Sequence, residues 1–152
     1  WAVAAGPAPV GALRGAARVE VREGAALDVR DADGLDVPAG GTLTGSGRVL
    51  GDVSVEGEGR IAASGGDGIL DVAGSLSLRS GAAVAADYAG GARPLVRADG
   101  ALRLPAGLVF AVTNLNPSAG GATLPVLRGG GWDDGSGGAP DPASWLLSGV
   151  GG

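Results

Sequence analysis

The chain has 152 residues and a formal net charge of −5, with 32 Gly, 9 Pro, one Phe, one Tyr, three Trp and no Cys, His or Met. All eleven basic residues are arginines scattered through an acidic sequence, which disfavours nucleic acid as a partner. Without His or Cys, the Ser-His and Cys-His nucleophilic arrangements are excluded, and no stretch approaches the ~18 consecutive apolar residues of a membrane span.

Glycine at this level suggests disorder only when the remainder is polar, and here 45% of the chain is hydrophobic. A core is therefore available, built from Ala, Val and Leu rather than aromatics. The first segment, Trp1-Ala-Val-Ala-Ala, fits a start left by removal of an initiator and a leader. Residues 11–18 (GALRGAAR) form the one window without early helix breakers, and Gly11 and Gly15 spoil it.

From there period-two alternation takes over. Val19 and Val21 flank Glu20, Leu27 and Val29 flank Asp28, and Leu35 and Val37 flank Asp36. Leu43 stands between Thr42 and Thr44, and Val53/Val55, Leu70/Val72, Leu76/Leu78 and Leu102/Leu104 continue the series. Each reads as a strand of about four residues with one apolar face. Glu23-Gly24, Asp33-Gly34, Gly40-Gly41, Gly57-Glu58-Gly59 and Ser80-Gly81 punctuate them as corners. Val19, Leu27, Leu35 and Leu43 stand at a constant interval of about eight residues.

Short sides, sharp corners and small inward residues predict an all-β solenoid. A hairpin sandwich would want longer strands and aromatics in its core. Three sides per coil give about 20–24 residues per coil and on the order of six coils, ~4.8 Å apart. Beyond about residue 100 the pattern grows heavier. Leu108–Thr113 and Ala122–Leu127 read as longer apolar strands, 129–142 as a loop, and Ser144–Ser148 as a final strand. The expected division is solenoid coils over 1–100 and terminal coils with a C-terminal β end region over 101–152, all one domain.

Candidate sites are few. Asp31, Asp33 and Asp36 resemble a calcium loop that lacks a third ligand before Gly34 and has Thr42 where the twelfth-position glutamate belongs, so a solvated turn is the better reading. Gly65–Asp71 is near the nonapeptide calcium roll, but its aspartate is one residue late and the motif is not tandem. Asp133, Asp134 and Asp141 sit in the glycine-rich loop, where a cation at an interface competes with a plain acidic loop. Asp52, Glu56 and Glu58 offer paired carboxylates, with only Arg48 and Arg60 nearby to hold a sugar; an outward decoration is favoured over a glycosidase. Trp1, Trp132 and Trp145 can stack on sugar or anchor ends and interfaces. Thr42 and Thr44 look like a TxT ice-binding pair that does not recur on later coils.

The stretch Gly41-Thr-Leu-Thr-Gly-Ser-Gly-Arg-Val-Leu-Gly-Asp-Val-Ser-Val55, followed by Gly68-Ile-Leu-Asp-Val-Ala-Gly-Ser-Leu-Ser-Leu78, resembles the autotransporter-associated β-strand repeat. The resemblance covers roughly residues 19–90, with Ser64-Gly65 where that family has Pro-Gly. Ala122–Leu127 and Ser144–Ser148 are similar to the end region that follows such repeats. The resemblance implies a right-handed parallel β-helix at the bacterial cell surface or outside the cell, serving as stalk, adhesin scaffold or fibre. It brings no catalytic residues, and the chain would be an excised piece or a small relative of larger proteins.

The expectation is thus a non-enzymatic structural protein with no cofactor. A β-helix has open edges at its first and last coils, and no capping helix is legible here. Trp1, Val3 and Val10 at one end and Trp145, Leu146 and Leu147 at the other are the expected assembly residues for head-to-tail stacking of the chain on itself. A stalk fragment binding a surface glycan or host protein is the second expectation.

Overall fold

The structure is a computed structural model that describes residues 2–3, 17–64, 68–88, 95–113, 126–134, 138–139 and 146–148. Its strands follow one another in coils of three. β1 (Ala2–Val3) comes first, alone. The first complete coil is β2 (Arg18–Val21), β3 (Ala26–Asp28) and β4 (Leu35–Val37), with a 3-10 turn at Arg30–Ala32. The second is β5 (Thr42–Gly45), β6 (Arg48–Leu50) and β7 (Val53–Val55). The third is β8 (Arg60–Ala63), β9 (Ile69–Val72) and β10 (Leu76–Leu78). The fourth is β11 (Ala83–Asp87), β12 (Leu95–Ala98) and β13 (Ala101–Arg103). The fifth is β14 (Val109–Thr113), β15 (Leu127–Arg128) and β16 (Gly131–Asp133), after which β17 (Leu146–Ser148) follows.

Each side of the coil stacks into its own parallel sheet. The first sheet runs β1-β2-β5-β8-β11-β14-β17, the second β3-β6-β9-β12-β15 and the third β4-β7-β10-β13-β16. Every pairing is parallel, so the protein is a parallel β-helix, as the short alternating triplets require. Arg18 pairs with Thr42, Thr42 with Arg60, Arg60 with Ala83 and Ala83 with Val109, so successive coils advance 24, 18, 23 and 26 residues. The next step, Val109 to Leu146, is 37. The expected 20–24 therefore holds for some coils only. Against the expected six coils, the described residues form five complete ones plus a lone strand at each end of the first sheet.

Parallel register places like positions above one another, which makes the core a set of aliphatic columns. Val19, Leu43, Ile61 and Val84 form one on the first sheet, and Leu27, Val49, Val72 and Ala98 form one on the second. Leu35, Val53, Leu76 and Leu102 form one on the third. All of them are buried. Burying a Val or Leu side chain contributes about 1.5–3 kcal/mol, and no aromatic is needed where the coil interior is this narrow.

The corners differ. Between the third and first sheets the connection is four residues after each of the first four coils, 38–41, 56–59, 79–82 and, with Leu104 extending the inward alternation, 105–108, and twelve after the fifth (134–145). Gly41, Gly59 and Ala82 donate N–H to the carbonyls of Pro38, Glu56 and Arg79 at 2.8–2.9 Å. The third residue of each turn has positive φ: Gly40 (72°), Glu58 (67°), Gly81 (85°) and Gly107 (74°), the pattern of a type II turn. These residues are themselves stacked. Gly40 donates to the Glu58 carbonyl, Glu58 to Gly81 and Gly81 to Gly107, at 3.1–3.2 Å. By contrast, the corner between the first and second sheets takes four residues in the first coil (22–25), two in the second (46–47), five in the third (64–68), seven in the fourth (88–94) and thirteen in the fifth (114–126).

The tightest corner is Gly45-Ser46-Gly47. Gly45 has φ 136°, and a Cβ there would lie 1.9 Å from the Val21 carbonyl oxygen. Both backbone freedom and space make glycine necessary at that position. Two expectations need correction. Residues 129–142, read as loop, contain β16, because Gly131–Asp133 completes the third sheet beside β13. The middle strands β6, β8 and β12 were not singled out in the sequence; Arg60-Ile-Ala-Ala63 has one large apolar residue among alanines, too little to signal a strand. The final strand over 144–148 is present as β17 at Leu146–Ser148.

Candidate functional site

The expected assembly residues fall at opposite ends of one sheet. Val3 is in β1, which pairs with β2; Leu146 and Leu147 are in β17, which pairs with β14. Trp1, Val10 and Trp145 lie outside the described residues, as does Asp141. Among the described residues, β1 and β17 each have one strand neighbour, whereas the five strands between them have two. The register puts Trp132 opposite Leu102, so it occupies the end position of an inward column. There it is 66% exposed, against 1% for Leu102. Trp132 therefore stands at the open C-terminal end of the core stack rather than on a lateral face.

The outer face of the second sheet carries an ionic ladder. Arg48, Asp71, Arg97 and Arg128 occupy one outward column on successive coils. Arg97 Nε donates to Asp71 Oδ1 at 2.9 Å, and Arg48 Nε lies 3.5 Å from Asp71 Oδ2. Arg48 Nη2 donates to Asp99 Oδ2 at 3.0 Å. The two guanidinium groups cover Asp71, which is buried although it points out of the coil. The hydrogen bond it donates to Asp71 raises the Arg97 pKa further above its usual value, so Arg97 stays charged at any ordinary pH. Asp71 is thus an ion-pair partner, not a calcium-roll ligand.

The remaining carboxylates are dispersed. Among the described residues no group of three or more acidic side chains could hold a metal ion. Asp31 is in the 3-10 turn, Asp33 is its left-handed C-terminal residue (φ 58°), and Asp36 points outward from β4. Asp134 accepts the Gly138 N–H at 2.9 Å. Asp52 Oδ1 accepts the Ser75 N–H at 2.8 Å, tying the β6–β7 corner to the β9–β10 corner of the next coil. Glu56 lies 3.7 Å from Arg79, and Glu58 sits in the turn column. These three carboxylates are spread over two corners and face no shared bond. Thr42 and Thr44 are flanked on neighbouring coils by Arg18 and Arg60, and by Glu20 and Ala62, so no threonine row forms.

One concavity is built from several coils. A groove of about 650 Å³ lies over the outer face of the third sheet, lined by Asp33, Asp36, Asp52, Ser54, Ser77, Arg79, Ser80, Arg103 and Asp134 among others. Asp36, Ser54, Ser77 and Arg103 form a single outward column along its floor. The signal for them was in the sequence: each is the middle residue of an apolar triplet, Leu-Asp-Val, Val-Ser-Val, Leu-Ser-Leu and Leu-Arg-Leu. What brings them together is coil register, which no single triplet carries.

No protein-family model, no curated protein and no solved structure matches this chain. The geometry alone defines the class: a three-sided parallel β-helix with a groove over its third sheet.

Proposed function

We propose that this chain is a structural β-solenoid that stacks head to tail on copies of itself, forming a filament or surface fibre outside the cell. The observation that carries this reading is the placement of β1 and β17 at opposite ends of one sheet in which all strands are parallel. Copies related by translation along the axis can then continue the same sheet in the same sense. This is a heterologous contact, and it produces open filaments when it does not close. Trp132, exposed at the C-terminal end of the core stack, adds apolar surface to such a junction. The resemblance of residues 19–90 to autotransporter-associated repeats supports the extracellular setting.

The test is electron microscopy and sedimentation over a range of concentrations, with Leu146→Pro and Leu147→Pro. Adjacent strand residues direct their N–H groups to opposite sides, so one of these prolines removes a donor on the open edge. Filaments that disappear in that variant, with the coils intact by circular dichroism, are expected. Monodisperse monomers at the highest concentration would sink the proposal. The exposed Trp132 also favours a second reading, a stalk fragment that binds a host surface or glycan. Under that reading Trp132→Ala abolishes surface binding and leaves the assembly state unchanged.

A further inference from the structure

Resting on the stacking reading, we infer that the junction between copies has one fixed register, in which Ser148 of one copy stands directly opposite Ala2 of the next. The columns of the first sheet define it. Through β5, β8, β11 and β14, the Arg18 column ends on Leu146, the Val19 column on Leu147 and the Glu20 column on Ser148. At the other edge, β1 places Ala2 on the Glu20 column and Val3 on the Val21 column. Among the described residues, only the Glu20 column therefore reaches both β1 and β17, with Ala2 as its first member and Ser148 as its last. Glu20 lies between the buried Val19 and Val21, so this shared column belongs to the outer face of the sheet.

Translation along the axis superposes every column of one copy on the same column of the next, as each coil already does to the coil before it. On the first sheet that brings Ser148 to Ala2. On the third sheet it sets Trp132, the last member of the column that begins at Leu35, in line with Leu35 of the next copy.

Two displaced registers compete with this one. A slip of one residue, with Ser148 opposite Val3, sets an outer-face column of one copy against a core-facing column of the next. A slip of two, with Leu146 opposite Ala2, keeps the faces but carries the incoming copy about 7 Å along the strand direction. The third-sheet columns of the two copies are then out of line by the same distance, and Trp132 lies beside the next core stack rather than over it. In a closed three-sided coil no side can slip alone.

The chain has no cysteine, so Ala2→Cys with Ser148→Cys introduces two thiols into an otherwise thiol-free protein. Within one copy they are six strand spacings apart, ~29 Å, far beyond the roughly 4.4–6.8 Å between Cα atoms that a disulfide spans. Opposed residues on neighbouring parallel strands are about 4.8 Å apart, inside that range. Every bond formed therefore joins two copies. Mild oxidation should give a ladder of covalent dimers, trimers and longer species on non-reducing gels. It should form about tenfold faster than in Val3→Cys/Ser148→Cys or Leu146→Cys/Ala2→Cys, which report the two slips. A ladder that forms fastest in either slipped pair would overturn the register and leave the stacking reading standing. Dimers and nothing longer from Ser148→Cys or Ala2→Cys alone would overturn both, because like ends then meet. Sedimentation of the reduced variants, with coils intact by circular dichroism, reads assembly separately: filaments that never crosslink sink the register, and monomers sink both. Filaments grown from a mixture of nitrogen-labelled and carbon-labelled unsubstituted chains give a readout that needs no variant. Solid-state magnetic resonance should show Ser148 next to Ala2 between copies, and Ser148 next to Val3 or Leu146 next to Ala2 would refute the register.

Discussion

The first four coils and the fifth use the same columns of inward positions but fill them differently. Over residues 17–104 those positions hold aliphatics that are buried almost completely: Leu43, Ile61, Leu70 and Leu76 are at 0% exposure. On the fifth coil the same columns end on Phe110, Leu127 and Trp132, which are half-buried, half-buried and exposed. A stacked core seals a residue only when coils lie on both sides of it. The fifth coil has a complete neighbour on one side, and its corner between the first two sheets is also the longest. Tightness here is a property of the stack rather than of any coil's own sequence.

That contrast can be broken most strongly in the core. Ile61→Ala or Leu70→Ala should cost about 3 kcal/mol in urea unfolding, whereas Leu127→Ala should cost only about 1, because less of its surface is buried. Equal losses would show that the fifth coil is packed as tightly as the others. Next in size is Gly45→Ala, expected to destabilise by on the order of 3 kcal/mol or less, since the added Cβ meets the Val21 carbonyl and the φ is unfavourable; a neutral result would mean that the corner relaxes freely. Tyr88→Phe should stabilise by about 1 kcal/mol. Its hydroxyl is buried with no hydrogen-bond partner among the described residues, in a cluster with Ala86 and Val112, and that desolvation raises its pKa. A melting temperature that falls would reveal a partner for the hydroxyl.

Smaller still, Glu58→Gly should stabilise by about 0.5–1 kcal/mol, because Glu58 alone in its turn column adopts positive φ with a side chain. The last test concerns charge in the first coil. The Arg30 guanidinium, hydrogen-bonded to Asp28 at 2.6 and 2.9 Å, holds the Asp28 carboxyl at about 2. A depressed carboxylate pKa stabilises above the unfolded value of 3.8, and that contribution fades as pH falls toward 2. Carboxyl chemical shifts should therefore place Asp28 near 2, returning toward 3.8 in Arg30→Ala; an unmoved value would mean that the pair does not persist in solution.

Much of this architecture was legible beforehand, and the residues show why. Val19/Val21, Leu35/Val37, Val53/Val55 and Leu76/Leu78 each lie on a strand because period-two alternation is a local property. The parallel stacking followed from strand length and glycine corners. Register was not legible, since the coil step varies between 18 and 26 residues even in the first four coils. For that reason the ion-pair role of Asp71 was invisible in the sequence: Arg48 and Arg97, 23 and 26 residues away, are stacked over it only in the coil register. The groove was missed for the same cause: Ser54, Ser77 and Arg103 are unremarkable singly and form a floor only when superposed.

The two unlike corners have a consequence for how such a chain can change. The four-residue vertices work as a fixed reading frame. Deleting one residue from 79–82 would swap the faces of β11 as far as the next corner, sending Val84 and Ala86 outward and Ala83 and Ala85 in. The vertex between the first and second sheets absorbs extra residues without altering that frame, as its growth to seven and then thirteen shows. Peptides grafted there, between Asp87 and Leu95, should be displayed from a scaffold whose pitch does not move.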